Sequence, residues 1–353
     1  MTELTVVIPF RNREPERVVN AWRSVKAHTS LACKCIVSDL GSRPEILAAL
    51  KTAALEEDFL LLENQGQGLP FNKARAVNIG AKAAETELVC VLDADMRLFD
   101  GVLDYIAGKI KVDEVYYLEN RWPNTAKADP KRSRIALSYG VFQVLHRVWF
   151  ERLCGFNEAI EFWGDEDNDW ARRLRDHGVK QIILGAKDFY MTHVWHVSEN
   201  QPSHRPKTAE WHTLELELRS ALTGMGTQGW GKQISFEDRP ILAKMKQPKT
   251  AHVIDLTGWP LVDHFVEVDK LVREHGFVHF RFGPRIRTRK LSRFNRIQSL
   301  VAPLLDPFSL EVEPVVNGNL ETFLVACKVW KDILKDRYLS DDFSEAWILV
   351  ETK

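Results

Sequence analysis

The stretch Leu88-Val-Cys-Val-Leu92, followed at once by Asp93-Ala-Asp95, decides the fold. Five consecutive apolar residues, Val89 and Val91 β-branched among them, read as a strand buried on both faces. Two carboxylates, two positions apart, leave that strand at its carboxyl end. Upstream the same grammar repeats. Leu4–Ile8, closed by Pro9, Cys35–Asp39 and Phe59–Glu63 read as strands. Glu14–Ala27, with Val18, Val19, Trp22 and Val25 on one stripe, reads as a helix, as do Pro44–Leu55 and Phe71–Ala84. Pro15 stands near the start of the first helix, where its missing N–H costs nothing. Strand and helix in alternation predict an α/β fold, a Rossmann-like, mostly parallel sheet with helices on both faces. Ligands bind such sheets beyond the carboxyl ends of the strands. That rule points to the loops at Pro9–Arg13, Asp39–Gly41 and Asp93–Asp95.

Working outward, 353 residues suggest two domains. Gly164–His177 reads as a helix ended by Gly178, Val179–Ala186 as a strand and Glu210–Leu222 as a helix. Four glycines between Gly224 and Gly231 then suggest a break. The expectation is a first domain at 1–222, a linker at 223–249 and a smaller α+β domain at 250–353. The last contains His252–Leu256, Val262–His275, Phe277–Phe282, Leu310–Val316 and Thr322–Val329 as its pieces. With 45% hydrophobic and 27% charged residues the chain is globular rather than disordered. A net charge of −1 argues against a general polyanion binder but not against a local basic patch. Five scattered cysteines make no disulfide framework, which predicts reduced thiols. No apolar run reaches the ~20 residues of a membrane span, and the first residues lack the regions of a signal peptide. These readings predict a cytoplasmic protein.

Three clusters carry chemistry. The carboxylates of Asp93-Ala-Asp95 are hard oxygen ligands suited to Mn²⁺ or Mg²⁺, and such an ion neutralises a diphosphate. In Trp163-Gly-Asp-Glu-Asp-Asn-Asp169 four acids crowd five positions, with Trp163 before them and Trp170 after. Acids favour a helix start through the dipole, but a carboxylate in a tryptophan-walled pocket is also a general base. The third cluster, Met191-Thr-His-Val-Trp-His196, offers an imidazole as a further metal ligand, and the spacing leaves both His193 and His196 open.

These residues resemble the inverting GT-A glycosyltransferases of family 2, and most closely the beta-1,4-galactosyltransferase group with its chondroitin-polymerase-like relatives. Val7-Ile-Pro-Phe-Arg-Asn-Arg13 is similar to that group's nucleotide-binding opening. Phe71-Asn-Lys-Ala-Arg-Ala-Val-Asn-Ile-Gly80 resembles its F-N-R-A-K helix start. Asp93-Ala-Asp95 stands where its D-x-D motif belongs, and Gly155-Phe-Asn157 through Trp163-Gly-Asp-Glu-Asp167 resembles its G-F…W-G-x-E-D segment. The resemblance implies a UDP-sugar donor held by Pro9, Phe10, Arg11, Arg13, Asp39, Lys73 and Asp93. It implies Mn²⁺ (or Mg²⁺) on Asp95 and His193, with His196 the alternative. It also implies Trp163 and Glu166 at the acceptor and Asp167 as the catalytic base of a single inverting displacement. Tyr139-Gly140 matches half of a donor-site Y-x-G-G segment. Animal members carry a membrane anchor and disulfides. Their lack here suggests a bacterial or viral enzyme, with the acceptor set by loops.

The last third lies outside the resemblance. Seven basic residues and no acid occupy Arg281–Arg296, with Phe280, Phe282 and Phe294 interleaved. The segment reads as a solvated basic face or as a polyanion contact through Arg285, Arg287, Arg289, Lys290 and Arg293. A saccharide is the expected acceptor, and hydroxymethylated bases of viral DNA, reached through the segment 281–296, are the alternative. A GT-A module that binds nucleotide sugar or glycan without turnover is the competing class.

Overall fold

In the computed structural model the described residues are 3–123, 133–161, 165–194, 224, 226–240, 251–257, 261–282, 318–340 and 344–351. The chain divides into two compact units, Met1–His196 with Arg219–Arg239, and Val197–Leu218 with Pro240–Lys353.

The first unit opens as the sequence predicts, with β1 (Glu3–Phe10), α1 (Pro15–Ala27), β2 (Ala32–Asp39), α2 (Pro44–Glu57), β3 (Leu60–Glu63), α3 (Lys73–Ala83) and β4 (Leu88–Leu92). After the D-x-D come β5 (Met96–Leu98), α4 (Val102–Ala107), β6 (Glu114–Leu118), β7 (Asn120–Trp122), β8 (Arg134–Ala136), β9 (Phe142–His146), α5 (Val148–Arg152), α6 (Glu166–Asp176), β10 (Lys180–Leu184) and β11 (Met191–His193). Seven strands form one sheet in the order β10-β6-β9-β4-β1-β2-β3. All neighbours run parallel except β9, which is antiparallel to both β4 and β6. The sheet is mostly parallel, as expected. The direction of β9 is a tertiary fact, since a strand's side-chain pattern is the same read either way.

Both faces of the sheet are covered, and β1 shows why. Leu4, Val6, Ile8 and Phe10 face a core shared with Val18, Trp22 and Leu50, while Val7 faces the opposite core with Val77, Phe150 and Trp170. All five residues of β4 are 0–1% exposed. Each such Val or Leu contributes about 1.5–3 kcal/mol.

A second sheet, β5-β11-β7-β8, positions the site. Its antiparallel pairing sets His193 opposite Met96 and Thr192 opposite Arg97. A strand from late in the unit is thereby laid beside the D-x-D loop.

Residues 226–239 pack onto this first unit, which corrects the reading of 223–249 as a linker. Ile234 donates to Asn64 Oδ1 at 2.9 Å and accepts from Gln65 N–H at 2.9 Å, and Trp230 is buried in the second core. A Cβ on Gly226 would stand 1.9 Å from the Leu153 carbonyl oxygen. Gly226 and Gly231 permit close packing here, while Gly224 and Gly229 supply positive φ.

The second unit is α+β. Its strands β12 (His252–Asp255), β13 (Phe277–Arg281), β14 (Leu334–Leu339) and β15 (Glu345–Val350) lie in the order β12-β13-β15-β14, with α7 (Phe265–His275) and α8 (Gly318–Val329). Phe280, Phe323, Trp330 and Ile348 centre its core. Leu310–Val316, read as one of its pieces, lies outside the described residues. The sequence reading assigned nothing to β14 or β15.

Candidate active site

The site is built at the carboxyl ends of β1, β2 and β4. At the end of β4, Lys73 reaches across from the first turn of α3, its Nζ 2.6 Å from Asp93 Oδ1 and 2.7 Å from Oδ2. The same ammonium donates to the Gly140 carbonyl at 3.0 Å. Both side chains are about one-fifth exposed, so the pair borders open space rather than lying in the core. Burial works against the Lys73 charge, but Asp93, Glu166 and Asp167 outweigh it and hold the amine above its ordinary range. Burial raises the Asp93 carboxyl, with Lys73 opposing and Asp95 and Asp167 adding to the rise.

Asp167 stands on the other side of Gly140. The Gly140 N–H donates to Asp167 Oδ2 at 3.0 Å, and the Asn168 N–H donates to Oδ1 at 2.8 Å. The N–H and carbonyl of Gly140 thus tie the Lys73–Asp93 pair to Asp167. Asp165 takes a left-handed conformation with φ 73°, and Glu166 and Asp167 follow as the first residues of α6. Their charges suit a helix N-terminus. Burial and the neighbouring Asp167 push Glu166 up to about 7.

Asp95 lies on the second sheet's side, its Oδ2 3.4 Å from His193 Nε2, and the Val194 N–H donates to its carbonyl at 2.7 Å. Trp122 stacks on the imidazole with ring centroids 4.0 Å apart. Two atoms that each bind a divalent cation at about 2.1 Å stand roughly 3.0–3.5 Å apart in octahedral or tetrahedral geometry. Asp95 and His193 therefore fit such an ion. Among the described residues no group of three His, Cys, Asp or Glu side chains gathers to hold one. His196 lies outside the described residues.

Arg97, on β5, donates from Nη1 to the carbonyls of Ala94 at 3.3 Å and Met96 at 2.8 Å. Burial brings it down to about 10, with Asp95 opposing and Arg17 adding to the fall.

The nucleotide residues divide. Arg11 donates to the Leu69 carbonyl at 2.6 Å and lines a small cleft with Leu40, Leu69, Asn72, Arg75 and Ile234. Arg13 is half-buried in the loop after β1. Asp39, at the end of β2, accepts from the N–H groups of Gly41 at 3.1 Å and Ser42 at 3.0 Å and from the Ser42 hydroxyl. Burial raises its pKa against those bonds. Phe10 corrects the reading, because its ring is 1% exposed and packs in the first core. Pro9 is likewise buried within β1, beside Ser38. The strand has taken both side chains out of reach of a ligand.

Trp170 is a second correction. It is fully buried, its Nε1 donates to Gln143 Oε1 at 2.8 Å, and it stacks on Phe156, so it walls no pocket. Asp169 is equally structural, gripped by Arg173 at 2.8 Å and Arg172 at 3.1 Å. Trp163 and the basic residues Arg285, Arg287, Arg289, Lys290 and Arg293 lie outside the described residues.

Two side chains that the sequence reading missed hold the frame. Asn78 Oδ1 accepts from Phe156 N–H at 2.7 Å, and its Nδ2 donates to Glu158 Oε1 at 2.9 Å. Arg75 Nε donates to Glu158 Oε2 at 2.8 Å. Both partners belong to quoted motifs, and the repeated polar residues along α3 were the available signal.

Comparison with known proteins places two family matches on this unit. Residues 5–156 match the family model for glycosyl transferase family 2, and residues 128–197 match that for the N-terminal domain of galactosyltransferase. Together the two matches span more than half of the chain. No curated protein sequence matches this one significantly. Among solved structures, S. aureus TarS is 17% identical, with a TM-score of 0.42 over 55% of this chain and 37% of that one. The catalytic domain of Drosophila beta1,4-galactosyltransferase 7 with xylobiose is 15% identical, with a TM-score of 0.42 over 64% of this chain and 83% of that one. GalNAc-T7 with UDP, GalNAc and Mn²⁺ is 15% identical, with a TM-score of 0.46 over 62% of this chain and 48% of that one. The chain thus spans well under two thirds of TarS and of GalNAc-T7. Among the described residues no helix is long and apolar enough to cross a membrane. With both family models meeting on the sheet that carries the D-x-D, residues 5–156 form a glycosyltransferase family 2 domain, galactosyltransferase-like over residues 128–197.

Proposed function

We propose that this protein moves a sugar from a UDP-sugar to a hydroxyl of a saccharide acceptor, with inversion. The observation that supports it most is the gathering of Asp93, Asp95, Glu166 and Asp167 about Lys73 and His193 at the carboxyl end of the sheet. Asp167 is the base. Its two oxygens accept one backbone N–H each, which fixes the carboxylate and leaves a lone pair on each oxygen for a proton. The acceptor hydroxyl gives its proton to Asp167 while its oxygen bonds to the anomeric carbon. The bond from that carbon to the diphosphate oxygen breaks on the opposite face, and UDP leaves. One carboxylate suffices, because no glycosyl-enzyme intermediate forms. Glu166, protonated over much of the pH range, donates or accepts a hydrogen bond to the acceptor. Arg11 and Lys73 face the nucleotide. Asp95 and His193 would hold Mn²⁺ or Mg²⁺, which would supply positive charge against the leaving diphosphate.

The test is UDP release from a panel of UDP-sugars, with Mn²⁺ or with EDTA, for wild type and Asp95→Asn. Metal-dependent release from one donor, lost in the variant, is the expected result. Release from no sugar, together with no binding of UDP, sinks the reading.

A further inference from the structure

We propose that Arg97 is an anion site of the donor pocket and takes a phosphate oxygen of the nucleoside diphosphate. The proposal rests on the transferase reading above. Met96 and Leu98, on either side of Arg97 in β5, are buried in the first core, so the strand turns Arg97 to its opposite face. There the side chain is only half-buried. Its Nη1 is bonded to the carbonyls of Ala94 and Met96, the two residues flanking Asp95. The guanidinium is therefore fastened to the D-x-D loop and keeps a fixed place relative to Asp95.

Only one arm of the fork is used. Among the described residues Nε and Nη2 make no hydrogen bond, no carboxylate lies within ion-pair distance, and neither nitrogen is sealed from solvent. Across the second sheet, the positions in register with Arg97 are Thr192 and then Arg121, so that row carries a second cation and no acid. A half-buried guanidinium with no carboxylate in direct contact is costly, and its open edge matches the geometry of a phosphate oxyanion. A brace for the loop would need the Nη1 bonds alone. The open edge beside Asp95 is what a ligand's phosphate would use.

The experiment titrates uridine, UMP and UDP in EDTA, so that no metal bridges the phosphates, against wild type, Arg97→Gln and Arg97→Lys. The expected result is that Arg97→Gln leaves uridine affinity unchanged and cuts the gain from uridine to UDP by about ten-fold or more. Whether the loss falls between uridine and UMP or between UMP and UDP tells which phosphate is held. Arg97→Lys keeps a cation that reaches the carbonyls but not the fork, and its gain falls by about three-fold. It decides the matter if Arg97→Gln proves unfolded by circular dichroism. Unchanged UDP affinity, or equal loss of uridine and UDP, overturns the proposal and leaves a brace. If wild type binds UDP and turns over a donor in either case, only Arg97 loses its role. If folded wild type binds no UDP at all, the transferase reading falls and this site with it.

Discussion

A methyl group on Gly140 would stand 2.9 Å from Asp167 Oδ2 and 3.1 Å from its Cβ. Real Cβ atoms do not approach that closely, so the carboxylate would have to move. Misplacement of about 1 Å at a reacting group costs up to ~100-fold. Gly140→Ala is expected to lower the rate of UDP release by about ten- to hundred-fold with the melting temperature little changed, and steady-state assays beside a thermal melt check this. Glu166 makes a prediction about pH. The folded protein holds its proton more tightly than the unfolded chain, where glutamates titrate near about 4.3. The stability tied to that proton is full below that pH and is lost as pH rises to about 7. Between pH 4.5 and 7.5 wild type should therefore lose on the order of 2 kcal/mol more than Glu166→Gln, read by urea unfolding. At this scale the motifs pointed to Asp93, Asp95, Lys73 and Asp167, which the structure sets near one another at the carboxyl end of the sheet. Arg97 was not, because its importance lies in which carbonyls its Nη1 finds.

At the scale of elements, α3 shows how one motif serves packing and chemistry together. Asn72 caps the helix by accepting from Arg75 N–H at 2.9 Å, and Lys73 begins it and meets Asp93. Asn78 holds the Gly155–Phe156 turn, and Gly80 lies against β1. A Cβ at position 80 would be 2.3 Å from Val7 Cγ1. Gly80→Ala should therefore cost about 1–3 kcal/mol by overpacking, although alanine is the better helix former by about 1 kcal/mol. Chemical denaturation measures it, and a gain in stability would show that the helix shifts away from Val7. The strand–helix alternation through β4 was readable because burial on both faces leaves unbroken apolar runs. The antiparallel β9 was not, since periodicity carries no direction. Phe10 and Trp170 misled for a related reason. An aromatic beside a motif looks like a ligand wall until the strand or helix phase turns it into the core.

At the scale of the whole molecule, segments remote in sequence complete the first unit. The strap at 226–239 is stitched to Asn64 and Gln65 and adds Trp230 to a core that begins in β1 and α3. Composition marked those glycines as a boundary, whereas the fold uses Gly226 and Gly231 for close approach. The second unit has its own sheet and its own core. By itself the sequence determined the α/β alternation, the buried strand with its two carboxylates, and the acidic start of α6. Each of these follows from hydrophobic periodicity or from charge placed at an element's end, and both are local properties. Only the tertiary structure decided that His193 rather than a nearer side chain stands by Asp95 and that Gly140 joins Lys73 to Asp167. Those facts depend on strand register and on backbone groups brought together across long separations, and no window of sequence contains both partners.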